Sequence, residues 1–235
     1  MSVSTALELT TGIMSKFRSI IKRTLKPFLN GWLKYYYSKP RKFKYQGIEV
    51  VVDPSVFPPQ LTLSTTILLK FISDLNIENK SLLELGCGSG IISLFASKKG
   101  AHVTATDIND KALNNLREAS KKNELEVEII HSDLFEKMSE RSFDYIIINP
   151  PYYPKDPKNI KEKAWFCGKD FNYFKRLFTQ LPQFILKENQ TFIILSEDCD
   201  LKRISEIAKE NRISLNEVQR ITKFGETNFI YSTNR

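Results

Sequence analysis

Tyr145-Ile146-Ile147-Ile148 runs straight into Asn149-Pro150-Pro151-Tyr152, and few folds accommodate that junction. An apolar, β-branched run of this kind reads as a strand buried on both faces, the signature of a parallel sheet. Two prolines end it. Neither offers an N–H to the ladder and each fixes φ, so the chain leaves the strand along a rigid, extended path. Asn149 is thereby expected at the carboxyl edge of a sheet, where open α/β folds bind ligands. An Asn-Pro pair also serves in ordinary strand-to-loop turns, so the junction needs support from the rest of the chain.

That support begins at Ser81, from which strands and helices alternate as in a doubly wound α/β sheet. Strands are expected over Ser81–Leu85, His102–Thr106, Val127–His131, Phe143–Ile148 and Thr191–Leu195. Helices are expected over Gly90–Lys99, Asp110–Asn123 with Asp110 as its cap, Asp170–Leu186 and Asp200–Glu210. Pro182 must kink the third of these or end it early. A loop from Tyr153 to about Lys169 precedes that helix. Ser214–Thr222 and Thr227–Ser232 have hairpin spacing around Phe224-Gly225-Glu226. Upstream, Lys42–Tyr45 and Ile48–Val52 form a second expected hairpin through Gln46-Gly47. A proline-rich bend, Asp53–Pro59, leads from it to a helix over Thr62–Leu75.

The 235 residues fit one α/β domain with a short extension, and no apolar run approaches the roughly 18 residues of a membrane span. Met1–Gly12 has neither the basic nor the apolar region of a signal peptide. Cys87, Cys167 and Cys199 are scattered without metal spacing and suit a reducing cytoplasm. With only two histidines, His102 and His131, no metal site and no Ser-His triad is expected. Charge is unevenly placed: of the net +8, residues 1–48 carry ten Lys/Arg against Glu8, leaving the remainder slightly acidic. The expected organisation is a basic helical arm over residues 1–48 and a catalytic domain over 49–235. In the arm, Ile13, Phe17, Ile20, Ile21, Leu25, Phe28, Leu29 and Trp32 keep helical spacing, with Pro27 dividing two helices. Such an arm can dock as a strap with a solvated basic face, contact nucleic acid or the ribosome, or lie on a membrane surface.

Between the first strand and its helix stands Glu84-Leu85-Gly86-Cys87-Gly88-Ser89-Gly90. Glycines there permit φ > 0 and let backbone approach a ligand at a helix N-terminus. The spacing is tighter than a dinucleotide fingerprint, which argues against an NAD-dependent dehydrogenase. Asp107, followed by Ile108, ends the second strand near the offset of about 20 residues at which an acid takes ribose hydroxyls. Asp133 ends the third strand in His131-Ser132-Asp133-Leu134, placed to accept from an adenine amino group with Leu134 against the ring. One such acid is commonly a cap or turn residue. Three acids at consecutive strand ends, beside a glycine-rich loop, are not explained as turns.

With these residues in hand the chain resembles the class I S-adenosylmethionine-dependent methyltransferases from roughly Val50 to the C-terminus, with Leu83–Gly90 similar to their cofactor signature. The resemblance implies a Rossmann-like, doubly wound, seven-stranded mixed sheet with an antiparallel last strand. It implies that Glu84 with Gly86, Gly88 and Gly90 approaches the methionine part of the cofactor, Asp107 the ribose, and Asp133 with Leu134 the adenine, with Cys87, Ile108 and Asn149 also in the cofactor site. Asn149-Pro150-Pro151-Tyr152 is similar to the motif of enzymes that methylate nitrogen on planar amines: release-factor glutamine, ribosomal RNA and DNA amino-methyltransferases. Val56-Phe57-Pro58-Pro59 with Thr65 and Leu68-Leu69 resembles the segment before that motif in the glutamine and ribosomal branch. Ala164-Trp165-Phe166-Cys167-Gly168 resembles the segment after it in the release-factor branch. Phe57, Pro58, Thr65, Tyr152 and Trp165 are thereby implied on the acceptor side. Where the release-factor enzymes carry a helical substrate domain, this sequence has the short basic arm.

The chemistry fits the motif. An amide or aniline-like nitrogen has its lone pair spread into a π system. Acceptors at Asn149 Oδ1 and the Pro150 carbonyl would hold its two N–H protons, while Tyr152 offers a ring to stack on its plane. The expected activity is methylation of such a nitrogen on RNA or a protein of the translation machinery. The alternatives are a small-molecule amine, or a non-catalytic RNA- or membrane-docking module on the same fold.

Overall fold

The computed structural model describes residues 38–60, 62–138 and 141–234. The expected arm helices from Ile13 to Trp32, with their break at Pro27, lie outside the described residues. Two compact units divide the chain, Met1–Pro40 and Arg41–Arg235, and all elements below belong to the second.

β1 (Arg41–Tyr45) and β2 (Ile48–Val52) form the first hairpin. Gln46 (φ 44°) and Gly47 (φ 83°) both lie at positive φ, the turn whose twist matches that of paired strands. On β2, Ile48, Val50 and Val52 are buried with Phe95 and Leu116. Glu49, on the other face, accepts from Lys44 at 2.9 Å and also from Lys122. Those lysines hold its carboxyl at about 2, well below the usual range. Asn123 completes the clip, its Oδ1 accepting the Glu49 N–H at 3.0 Å and its Nδ2 donating to the Glu49 carbonyl at 2.9 Å.

The main sheet has seven strands in the order β5-β4-β3-β6-β7-β9-β8. β3 (Ser81–Leu85), β4 (His102–Asp107), β5 (Glu128–His131), β6 (Tyr145–Ile148) and β7 (Gln190–Ser196) are parallel. β9 (Glu226–Asn234) is antiparallel, inserted between β7 and β8 (Ser214–Lys223). This is the mixed sheet with an antiparallel last strand that the resemblance implies. Helices α1 (Leu63–Ser73), α2 (Ile91–Lys98), α3 (Asp110–Asn123), α5 (Asn172–Gln180) and α6 (Leu201–Glu210) match the expected ones, with ends shifted. The third expected helix does end early: α5 stops at Gln180, and a 3₁₀ turn, Leu181–Gln183, takes in Pro182.

Two local expectations are corrected. Asn109, not Asp110, caps α3, its Oδ1 accepting the Lys111 N–H at 3.1 Å. The loop after the proline pair holds a short helix, α4 (Ile160–Lys163), capped by Asn159 Oδ1 on the Glu162 N–H at 3.0 Å. The signal was present as Asn159 with Glu162 three residues on, a capping-box spacing.

Strand periodicity sorts the core into two layers. Leu82, Ile147, Phe192 and Ile194 face the layer shared with α1, α2 and α3. Leu83, Leu85, Ile146, Ile148, Ile193 and Leu195 face the layer shared with α5 and α6. β6 is thus buried on both faces, as its apolar run requires. Strand order reverses between β3 and β6, and Leu85 and Ile148 are register partners. Gly86 and Asn149 therefore leave the sheet side by side at the switch point, the usual position of a ligand crevice.

Candidate active site

The glycine loop turns on positive φ at Gly86 (76°), Gly88 (50°) and Gly90 (72°). Two of these positions need glycine for different reasons. A Cβ at Gly86 would meet nothing within 4 Å, so this residue keeps the crevice open. A Cβ at Gly90 would collide with the side chain of Leu116, so this residue lets α2 and α3 close together. The loop is pinned by the Cys87 N–H on the Thr106 carbonyl at 2.7 Å and the Gly88 N–H on Asp107 Oδ2 at 2.8 Å.

Asp107 thus braces the loop. Its Oδ1 accepts the Asn109 N–H at 2.8 Å, the Ile108 N–H also acts on the carboxylate, and Asp107 lines the crevice with acceptor capacity to spare. Burial pushes its carboxyl up, against the pull of those amide donors. Glu84, buried beneath the loop, accepts the Ser93 N–H at 2.9 Å and the Ser93 hydroxyl. Burial pushes its pKa up to about 8. Beyond the end of β5, Asp133 pairs with Arg176 at 3.0 Å, and Leu134 sits buried at φ 53°. A non-glycine residue held there stores about 1–3 kcal/mol of strain, sustained here by the Ser132 hydroxyl on its carbonyl at 2.9 Å.

Asn149 stands across the crevice. Its Nδ2 donates to the Ser64 hydroxyl of α1 at 3.4 Å, and among the described residues no donor occupies its Oδ1. Asn109 has a matching role on the other wall: its Nδ2 donates to the Ser55 carbonyl at 3.2 Å, tying α3 to the proline-rich bend.

The crevice brings together most of the sequence-derived set. Glu84, Gly86, Cys87, Gly88, Asp107 and Ile108 line it, as do Asp133, Leu134, Asn149, Pro150, Pro151, Phe57 and Thr65. Gly90, Pro58, Tyr152 and Trp165 do not. Gly90 is turned to Leu116 and Pro58 is buried in the bend. Tyr152 packs against the α5–α6 core layer, 4.8 Å from the Tyr153 ring at 54°, and burial pushes its phenol up. Trp165 stands behind Phe57, ring centroids 4.6 Å apart at 51°. Ser64, Ser93, Asn109 and Tyr173 were not singled out from the sequence. The first two act through another residue, and Tyr173 enters the crevice wall only because α5 docks there.

The donor set fits S-adenosylmethionine. A carboxylate with spare lone pairs faces where diols would lie, an acid and an apolar wall where an adenine would lie, and glycine backbone where a bulky amino acid part needs room. No group of His, Cys, Asp or Glu able to hold a metal ion occurs among the described residues.

Residues 47–165 match the family of the methyltransferase small domain. A protein of Methanocaldococcus jannaschii, provisionally named a protein N5-glutamine methyltransferase, is 34% identical over 64% of this chain and 77% of its own length. The ribosomal RNA small subunit methyltransferase C of Haemophilus influenzae is 35% identical over 72% of this chain but only 52% of its own length. A methyltransferase crystal structure from Pyrococcus furiosus superposes with TM-score 0.59 at 19% identity, covering 90% of this chain and 98% of that one. The chain belongs to the methyltransferase small domain family of class I, S-adenosylmethionine-dependent methyltransferases.

Proposed function

We propose that this protein methylates a planar amino or amide nitrogen on a macromolecule of the translation machinery, in the cytoplasm. One observation carries the reading: Asn149 leaves β6 beside the glycine loop with its Nδ2 held by Ser64, so that Oδ1 is the acceptor presented to the crevice. The names of the relatives, one for protein glutamine and one for ribosomal RNA, support the acceptor class.

When bound, S-adenosylmethionine supplies a methyl group on a positively charged sulfur, which keeps the bonding electron pair as the methyl departs. This chain's own residues position the incoming nitrogen. Asn149 Oδ1 and the Pro150 carbonyl accept its two N–H protons, which directs the lone pair along the transfer line and stabilises the positive charge growing on nitrogen. Positioning of this kind supplies roughly 7–11 kcal/mol of a barrier. The surplus proton leaves to water after transfer, so the step needs no histidine base. Phe57, on the crevice wall and backed by Trp165, offers a face for a planar acceptor, in the place first given to Tyr152.

The test is transfer of tritiated methyl from labelled cofactor into fractionated cell extract. Label in RNA or in a translation protein supports the reading. Label confined to small solutes favours a small-molecule amine, and no transfer at all removes the enzyme reading.

A further inference from the structure

The charge on the compact unit is not spread evenly, although the unit is close to neutral as a whole. Between Lys155 and Lys169, on the loop that follows the proline pair, stand five lysines against two acids, Asp156 and Glu162. Both acids are engaged within the loop. Asp156 Oδ1 accepts the Lys169 N–H at 2.9 Å, and Glu162 Oε2 accepts the Lys158 N–H at 2.8 Å. The lysines differ: the Lys155 ammonium lies over the Phe166 ring at 4.5 Å, while among the described residues Lys158, Lys161, Lys163 and Lys169 are exposed and enter no ion pair. The loop folds on its carboxylates and presents its cations.

The placement of this cluster matters more than its size. Ile160, Lys163 and Ala164 line the crevice, so α4 forms one lip of its mouth. Asp53, on the proline-rich bend, lies close enough to feel the charge of Lys161. The mouth therefore has a cationic lip. Beside that lip, Phe57 and Trp165 form an aromatic pair that starts on the crevice wall.

We propose that the Lys155–Lys169 loop is a phosphate-gripping lip that holds a single-stranded RNA segment while one of its bases enters the crevice against Phe57. This rests on the methyltransferase reading and names its acceptor class. A flipped base needs an aromatic face and a nearby hold on the backbone phosphates, and exposed lysines beside the Phe57–Trp165 pair supply both. A glutamine side chain needs the hydrogen-bond clamp but neither of these.

The full chain and its Lys158→Gln/Lys161→Gln/Lys169→Gln variant are compared for binding to a fluorescein-labelled, 20-nucleotide single-stranded RNA by anisotropy across a salt series. Each phosphate contact contributes about 0.7 to the slope of log K against log salt for single strands, so the triple variant should lose about two units of slope. Its affinity at low salt should fall at least tenfold. Calorimetry of S-adenosylmethionine on both proteins checks the underlying reading separately, since none of the three lysines lines the crevice. Loss of slope with unchanged cofactor affinity supports the lip. An unchanged slope, no RNA binding by the full chain at low salt, or tritium transfer into protein and not RNA overturns it. Absent cofactor binding by the full chain would instead sink the methyltransferase reading, whatever the RNA result.

Discussion

Glu84 accepts two hydrogen bonds from one residue, the backbone N–H of Ser93 at 2.9 Å and the Ser93 hydroxyl, across the turn joining β3 to α2. The pair locks the floor of the glycine loop to the first turn of the helix behind it.

It also predicts a pH dependence with a definite sign. Burial raises the folded pKa of Glu84 to about 8 from an ordinary 4.5. Between those values the folded state holds a proton that the unfolded state has lost, so this group's contribution falls as pH rises from about 4.5 to about 8 and is level outside that window. Glu84→Gln keeps an oxygen acceptor for Ser93 and removes the titration. The melting-temperature difference between variant and wild type should shift in the variant's favour from pH 5 to pH 8. A constant difference would show that Glu84 ionises normally in the fold.

Asp107→Ala removes the acceptor proposed for the ribose and the brace on Gly88. Losing hydrogen bonds to a charged acceptor costs about 1.5–3 kcal/mol, which is roughly ten- to a hundredfold in cofactor affinity. Calorimetry with S-adenosylmethionine measures it, with circular dichroism to show that the fold persists. Unchanged affinity would remove Asp107 from the binding set.

Asn149→Ala should collapse kcat while cofactor affinity stays near wild type, because the clamp acts on the acceptor. Asn149→Asp should be milder, since an acceptor oxygen remains. Ser64→Ala should lie between wild type and Asn149→Ala in kcat, with a small change in KM, because it frees the amide to turn without removing it. Normal turnover in Asn149→Ala would end the clamp mechanism.

The two outer glycines of the loop should respond differently to alanine. Gly86→Ala meets open space and bears only the positive-φ penalty, about 1–2 kcal/mol. Gly90→Ala adds a collision with Leu116, and overpacking costs a further 1–3 kcal/mol or so. Thermal unfolding should rank Gly90→Ala well below Gly86→Ala. Equal losses would mean that α2 and α3 separate at little cost.

The strand and helix pattern was legible in the sequence because periodicity is local: each buried strand and amphipathic helix carries its own spacing of apolar residues, and the proline pair marks where β6 must stop. The glycine spacing and the acids at the ends of β3, β4 and β5 were legible for the same reason, each tied to the strand it terminates. Tertiary structure decided what meets across those ends. Ser64 and Asn149 are 85 residues apart, and nothing near either position shows that α1 will orient the amide. Arg176 reaches Asp133 only because α5 docks over the sheet edge. Tyr152 illustrates the limit most directly. Its chemistry suits the crevice, but the direction in which the chain leaves Pro151 turns its ring into the α5–α6 layer, while Phe57 arrives at the crevice wall from 95 residues upstream. A side chain's type is written in the sequence; the direction it faces follows from strand order and helix docking, which sum weak contacts over the whole chain.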